Sequence, residues 1–162
     1  LTTPQEVRRF IEDALGAERE GREYAFAVIW KADGRVLGST RYMNVRPLHR
    51  GVEVGWTWYI PPVWGSVVNV EAKFLLLRHA FEDWGAIRVE LRTDSRNLRS
   101  QAAILKLGAR REGVLRHERI RRDGTYRDTV VFSILDSEWP QVRDRLYARL
   151  RSATVPDLSP MA

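Results

Sequence analysis

The junction Trp64-Gly65-Ser66-Val67-Val68-Asn69 is where residue types and spacing point most directly to chemistry. It joins the end of a strand to the start of a helix. A helix start presents unpaired N–H groups and a partial positive charge, a natural seat for phosphate oxygens. Most such junctions bind nothing, so this one needs support from its surroundings. Just upstream, Val52, Val54, Trp56, Trp58 and Ile60 alternate with Glu53, Gly55, Thr57 and Tyr59. That is a strand with two distinct faces. It places the Glu53 carboxylate on the side of Thr57 and Tyr59. The chain has no cysteine, which excludes disulfides, thiolate zinc sites and a cysteine nucleophile. His49, His79 and His117 are scattered without ligand spacing, so no metal site is expected.

These residues need elements to position them. Thr3-Pro4-Gln5-Glu6 opens a helix with a capping box, and Val7, Phe10, Ile11, Ala14 and Leu15 recur at helical spacing. Tyr24 to Trp30 is a continuous apolar run, typical of a strand covered on both faces. Asp33-Gly34 turns the chain into a returning strand over Arg35 to Asn44. After the strand Val52 to Ile60, Asn69 to Trp84 reads as a helix with Val70, Phe74, Leu77 and Phe81 on one stripe. Ile87, Val89 and Leu91 alternate with Arg88, Glu90 and Arg92 as a strand. A short helix over Asn97 to Leu107 follows, then strands near Arg110–Ile120 and Tyr126–Leu135, then a helix from Trp139. Antiparallel hairpins around a strand–helix–strand–helix centre argue an α+β domain: a mixed, mostly antiparallel central sheet flanked by helices.

The 162 residues, 44% of them apolar, suit one domain with a core of ordinary size. The longest apolar runs fall far short of a membrane span, and no charged–apolar–small leader opens the chain. Arginine outnumbers lysine 24 to 3 within the net charge of +6. That skew reads either as base composition of the genome or as attraction to an anionic ligand such as a phosphate-bearing cofactor. No Arg-rich block interleaved with aromatics stands out, so nucleic acid is not favoured. The expected division is a domain over 1–150 and a tail over 151–162.

Several spaced stretches agree with one family. They are Glu53-Val54-Gly55-Trp56-Thr57-Trp58, Pro61-Pro62-Val63-Trp64-Gly65 and Glu71-Ala72-Lys73. Further on come Arg88–Thr93 with Asn97-Leu98-Arg99-Ser100, Leu107-Gly108-Ala109 with Glu112-Gly113, and Arg127-Asp128-Thr129 with Ser137–Pro140. Together they resemble the GCN5-related N-acetyltransferase superfamily, in the flavour of its ribosomal-protein N-acetyltransferase (RimJ/RimL-like) branch. The resemblance covers about residues 3 to 150. It implies the acyl-CoA N-acyltransferase fold, with the first strand–helix unit missing before Leu1. It also implies transfer of an acetyl group from acetyl-CoA to a primary amine, by direct attack in a ternary complex.

Carried over, backbone groups of Trp58, Tyr59 and Ile60 would meet the pantetheine arm. The amides of Gly65, Ser66, Val67, Val68, Asn69 and Val70 would hold the pyrophosphate. Asn97 would organise its strand–helix junction and touch the cofactor. Val67 stands where the family loop prefers Gly. A β-branched residue there resists φ > 0 and crowds an approaching phosphate. Either the loop adjusts and binds more weakly, or the site is degenerate and the domain serves binding or regulation. Transfer needs a neutral amine, a polarised carbonyl and a proton for the leaving thiolate. Glu53 is the candidate base, unless it is held in an ion pair. Ser100 is the candidate proton donor, unless it only caps its helix; Ile104 stands where many members carry a tyrosine donor. The expected acceptor is a protein N-terminus or a small-molecule amine, in a cytoplasmic protein with no membrane partner and an unpaired sheet edge that would suit a homodimer.

Overall fold

The computed structural model describes residues 3–121, 123–154, 156 and 158. The capping box forms as the sequence requires. Glu6 N–H donates to Thr3 Oγ1 at 3.2 Å and Thr3 N–H donates to Glu6 Oε2 at 3.3 Å, starting α1 (Pro4–Arg19). Two strands of one hairpin follow, β1 (Tyr24–Ile29) and β2 (Val36–Arg46), then β3 (Gly51–Tyr59). Helix α2 (Val68–Arg78) leads to β4 (Arg88–Asp94), α3 (Leu98–Leu107), β5 (Arg110–Ile120), β6 (Tyr126–Leu135) and α4 (Trp139–Arg151). The expected helix over 69–84 is α2 continued by a wider π-helical turn over His79–Asp83.

One six-stranded sheet results, in the order β1-β2-β3-β4-β6-β5. Every neighbouring pair is antiparallel except β3 and β4. That parallel pair is short: Gly51, Val52 and Glu53 lie beside Arg88, Val89 and Glu90, and there the register ends. Beyond these positions both strands continue without pairing to each other, which opens a cleft in the middle of the sheet. The core forms where α2 and α4 cover the sheet. Tyr42, Leu77, Val89, Phe132, Ile134 and Leu146 are fully buried there. Each such apolar side chain contributes about 1.5–3 kcal/mol by leaving water. Tyr42 keeps its polar end satisfied by donating to Leu76 C=O at 2.5 Å.

Two expectations change. The apolar run at Tyr24–Ile29 is not covered on both faces. It is a sheet edge, with Phe26 exposed and Ile29 55% exposed. An apolar run therefore reported strand propensity here, not burial. The alternation along β3 also breaks. Arg41 pairs with Gly55 and Ser39 with Trp58, so Trp56 and Thr57 together oppose Thr40. Trp56 takes φ +47, and the extra residue of this bulge reverses which side chains face which way. Thr57 thus lies on the α2 face with Val52 and Val54, not with Glu53. Tyr59 packs beside Leu37, Val63 and Val68. In the segment taken as a tail, Leu158 is buried against Leu37, Val63 and Val68, and its C=O accepts from Arg35 Nη1 at 2.9 Å. The rest of that expectation at 155, 157 and 159–162 lies outside the described residues, as do residues 1 and 2.

Candidate functional site

The cleft opens at Glu53 and Glu90, which lie side by side on the face away from α2. Both are buried, at 3% and 5% exposure. Glu53 Oε2 accepts from Asn44 Nδ2 at 2.6 Å, and Arg92 Nε stands 3.6 Å away. Arg92 sits closer to Glu90, with Nε donating to Oε1 at 2.6 Å. Its Nη1 reaches Glu118 Oε1 at 3.5 Å. Arg88 extends the lattice, donating to Glu90 at 2.9 Å and to both oxygens of Glu112. Ser133 and Thr129 hydroxyls close it on Glu112 and Glu118.

Two adjacent carboxylates in one lattice are thereby made different. For Glu90, burial raises the pKa, but hydrogen bonds from Arg88 and Arg92 outweigh it and the net shift is downward. For Glu53, burial again raises it, and the Asn44 bond and the more distant Arg92 do not compensate. Its pKa therefore lies above the ordinary carboxylate range. Glu90 stays an anion that orients Arg92, while Glu53 is the better proton acceptor. Glu53 shares features of both expectations: an arginine is near it, but its strong bond is to a neutral amide.

The loop before α2 solves its own backbone problem. Gly65 takes the left-handed conformation, φ +78. Val67 is in the helical region at φ −67, ψ −19. The strain expected from a β-branched residue at Val67 is therefore absent, because the unusual dihedral falls on Gly65. Ser66 is turned inward, its Oγ donating to Val63 C=O at 2.7 Å and accepting from Val68 N–H at 3.3 Å. Glu71 N–H bonds Val67 C=O at 2.9 Å. The N–H groups of Gly65, Val67, Asn69 and Val70 have no partner among the described residues. These four are the donors an anion would meet at the start of α2.

The strand end nearby is partly occupied. Ile60 N–H bonds Leu37 C=O at 2.9 Å, and Tyr59 C=O accepts from Trp64 Nε1 at 2.7 Å. The Ile60 N–H is thus taken by β2, and Trp58, of the same parity, pairs with Ser39 and turns its C=O towards Gly38, so Tyr59 is the expected residue whose backbone edge faces away from β2. Asn97 caps α3 by accepting from Ser100 N–H at 2.9 Å. Its carbonyl oxygen is thus engaged locally, and Ser100 is the residue being capped. The half-buried Ser100 hydroxyl has no partner among the described residues. Ile104 is part of the core.

Some contributors were missed from the sequence. Asn44 and Arg92 meet Glu53 only through the fold. Arg99 lies over the Trp64 ring, 4.6 Å from its centroid, so the start of α3 carries a cation to the loop before α2. Lys73, 5% exposed, donates to Thr40 Oγ1 at 3.0 Å and Thr57 Oγ1 at 2.5 Å. Burial without a carboxylate pushes its ammonium down to about 7. A signal existed: Lys73 completes the i, i+3, i+4, i+7 stripe of Val70, Phe74 and Leu77.

Comparison with known proteins gives the arrangement a context. A family model described as "Acetyltransferase (GNAT) domain" matches residues 1–110. A solved structure of a candidate acetyltransferase from T. thermophilus is 45% identical, with a TM-score of 0.83 over 91% of this chain and 76% of that one. A GCN5-related N-acetyltransferase from Brucella melitensis is 32% identical, with a TM-score of 0.84 over 92% of this chain and 66% of that one. Mycobacterium smegmatis RimJ in complex with CoA-disulfide is 25% identical, with a TM-score of 0.76 over 90% of this chain and 68% of that one. No curated protein matches the chain.

Proposed function

Since the chain belongs to the GNAT acetyltransferase family, we propose that it transfers an acetyl group from acetyl-CoA to a primary amine, by direct attack in a ternary complex. The observation that carries this reading is the cleft where β3 leaves β4, with four amides at the start of α2 on one side of it that have no partner among the described residues. Those amides, at Gly65, Val67, Asn69 and Val70, hold the anionic end of the carrier, with the Arg99 cation close by. The open end of β3 near Tyr59 receives the arm, and Asn97 sets the start of α3 beside it.

Glu53 takes the proton from the acceptor ammonium, directly or through a water, because its own proton affinity is raised by burial. The neutral nitrogen attacks the thioester carbonyl carbon; the C–N bond forms, the C–S bond breaks, the sulfur leaves as thiolate, and the acylated nitrogen gives up its second proton to water. The free Ser100 hydroxyl hydrogen-bonds that thiolate. Its high intrinsic pKa makes it a stabiliser rather than a strong acid, so solvent completes the protonation. The absence of strain at Val67 favours a working site over a degenerate one.

The finer reading is the ribosomal-protein N-acetyltransferase branch, supported by the likeness to RimJ and by the motifs at Glu53–Trp58 and Asn97–Ser100. The acceptor is then a protein N-terminus rather than a small polyamine, and the working compartment the cytoplasm. No helix among the described residues is long and apolar enough to cross a membrane. Calorimetry with acetyl-CoA, followed by a thiol-release assay across peptide N-termini and small amines, tests the proposal. Binding with peptide-dependent thiol release is the expected result. No heat of binding at millimolar acetyl-CoA would overturn it, and release with polyamines alone would overturn the branch.

A further inference from the structure

Among the described residues, buried arginine and glutamate side chains meet opposite charges: Arg41 pairs with Glu23, and Glu53 and Glu90 with Arg92. Lys73 does not. Its Nζ meets two threonine hydroxyls, Thr40 on β2 and Thr57 on β3, which also lie 2.9 Å from each other. Burying an ammonium on neutral partners is costly, and an apolar residue on this stripe of α2 would pack without that cost. The residue type therefore calls for a reason beyond stability.

Its partners supply one. Thr57 follows Trp56, the residue at φ +47, and both threonine hydroxyls lie within 3.4 Å of the Gly55 carbonyl, Thr57 at 3.3 Å and Thr40 at 3.4 Å. A bulge interrupts the ladder and leaves backbone groups to be satisfied otherwise. Here the hydroxyl pair meets the Gly55 carbonyl and Lys73 holds the pair. The bulge lies just past the point where β3 and β4 stop pairing. A helical side chain also leans towards its helix's N-terminus, so Lys73 ties β3 to the helix whose first turn carries the free amides.

We propose that Lys73 is a positioning residue for the acyl carrier: by tying Thr57 of β3 to Thr40 of β2 from α2, it fixes the two walls of the cleft relative to one another. This rests on the reading of the cleft as the carrier site. Lys73 touches neither substrate nor reacting atoms; it acts through the course of β3 past the bulge.

The test uses Lys73→Met, which keeps the length of the side chain and removes the donor, and Thr57→Val, which removes the same link from the other end and serves if Lys73→Met does not fold. Amide hydrogen exchange at residues 55–60 in the free protein reads the tie itself. Calorimetry with CoA reads its consequence. The expected result is faster exchange at the bulge and CoA affinity reduced about tenfold in both variants, with no loss of melting temperature in Lys73→Met. Faster exchange with CoA affinity unchanged would overturn the positioning role, and unchanged exchange would overturn the tie. If the wild type itself binds no CoA, the carrier reading fails and the positioning role with it, whereas the exchange result still decides whether the tie exists.

Discussion

Two buried ionisable side chains meet β3 from opposite faces, and their surroundings differ. Glu53 stands in a lattice of charge, with Asn44 on one oxygen, Arg92 nearby and Glu90 beside it. Lys73 stands among hydroxyls, with no carboxylate partner among the described residues. Burial shifts both towards the neutral form, Glu53 upward and Lys73 downward. At Glu53 burial raises the proton affinity while Asn44 and Arg92 limit the rise, which suits chemistry. Around Lys73 nothing exchanges a proton with a ligand, and the bonds fasten one element to another. A shifted pKa thus marks two different jobs, and the neighbours decide which.

The largest effect expected from breaking this contrast is on turnover. Glu53→Gln keeps the Asn44 contact geometry and removes the base. It should lower kcat about 10²- to 10³-fold, within the usual range for a general base, with little change in acetyl-CoA affinity. Ser100→Ala should cost about ten- to a hundredfold in kcat, since one hydrogen bond to a charged group contributes about 1.5–3 kcal/mol. Steady-state kinetics at saturating acetyl-CoA check both; if Glu53→Gln turns over like wild type, the face with Glu53 is structural.

A smaller effect should appear as mirror-image pH dependence of stability. Glu53 has a folded pKa above its unfolded value, so its contribution to stability is present at low pH and is lost as pH rises through the folded value. Glu53→Gln should therefore gain melting temperature relative to wild type as pH rises above the ordinary carboxylate range. Lys73, at about 7 when folded, is depressed instead. Wild-type stability rises with pH between that value and the ordinary lysine range, so Lys73→Met should show its greatest relative gain below neutrality. Thermal melts across pH read both slopes. Slopes of the same sign would show that the two faces do not differ as described.

The smallest effect is expected at Val67. Because Val67 is helical at φ −67 while Gly65 carries the left-handed turn, Val67→Gly should leave CoA affinity within about twofold, the side chain being neither strained nor required. A large gain in affinity would mean that valine obstructs the site after all.

How far this was readable from the sequence differs between the two faces. The capping box at Thr3, the hairpin turns, the stripe of α2 and the amphipathic α4 follow from local patterns, and the elements form in the order those patterns give. The strand carrying Glu53 was legible, but its faces past Gly55 were not. Nothing in the residue type of Trp56 announces a positive φ, and a single bulged residue moves Thr57 to the other side. Lys73 was hidden for the opposite reason: its spacing marked it as inward, while its charge suggested the surface. Tyr24–Ile29 misled because an apolar strand at a sheet edge looks like one in the middle. Asn44, Arg92 and Arg99 reach the site only through tertiary contacts, which no local pattern encodes.

The most direct test of the carrier site is an amide NMR titration of the wild-type protein with CoA. The largest shifts are expected at Gly65, Val67, Asn69 and Val70, whose N–H groups have no partner among the described residues, with further shifts along β3 past Gly55 and at the start of α3. No shifts at those amides at millimolar CoA, or shifts confined to another face, would contradict it.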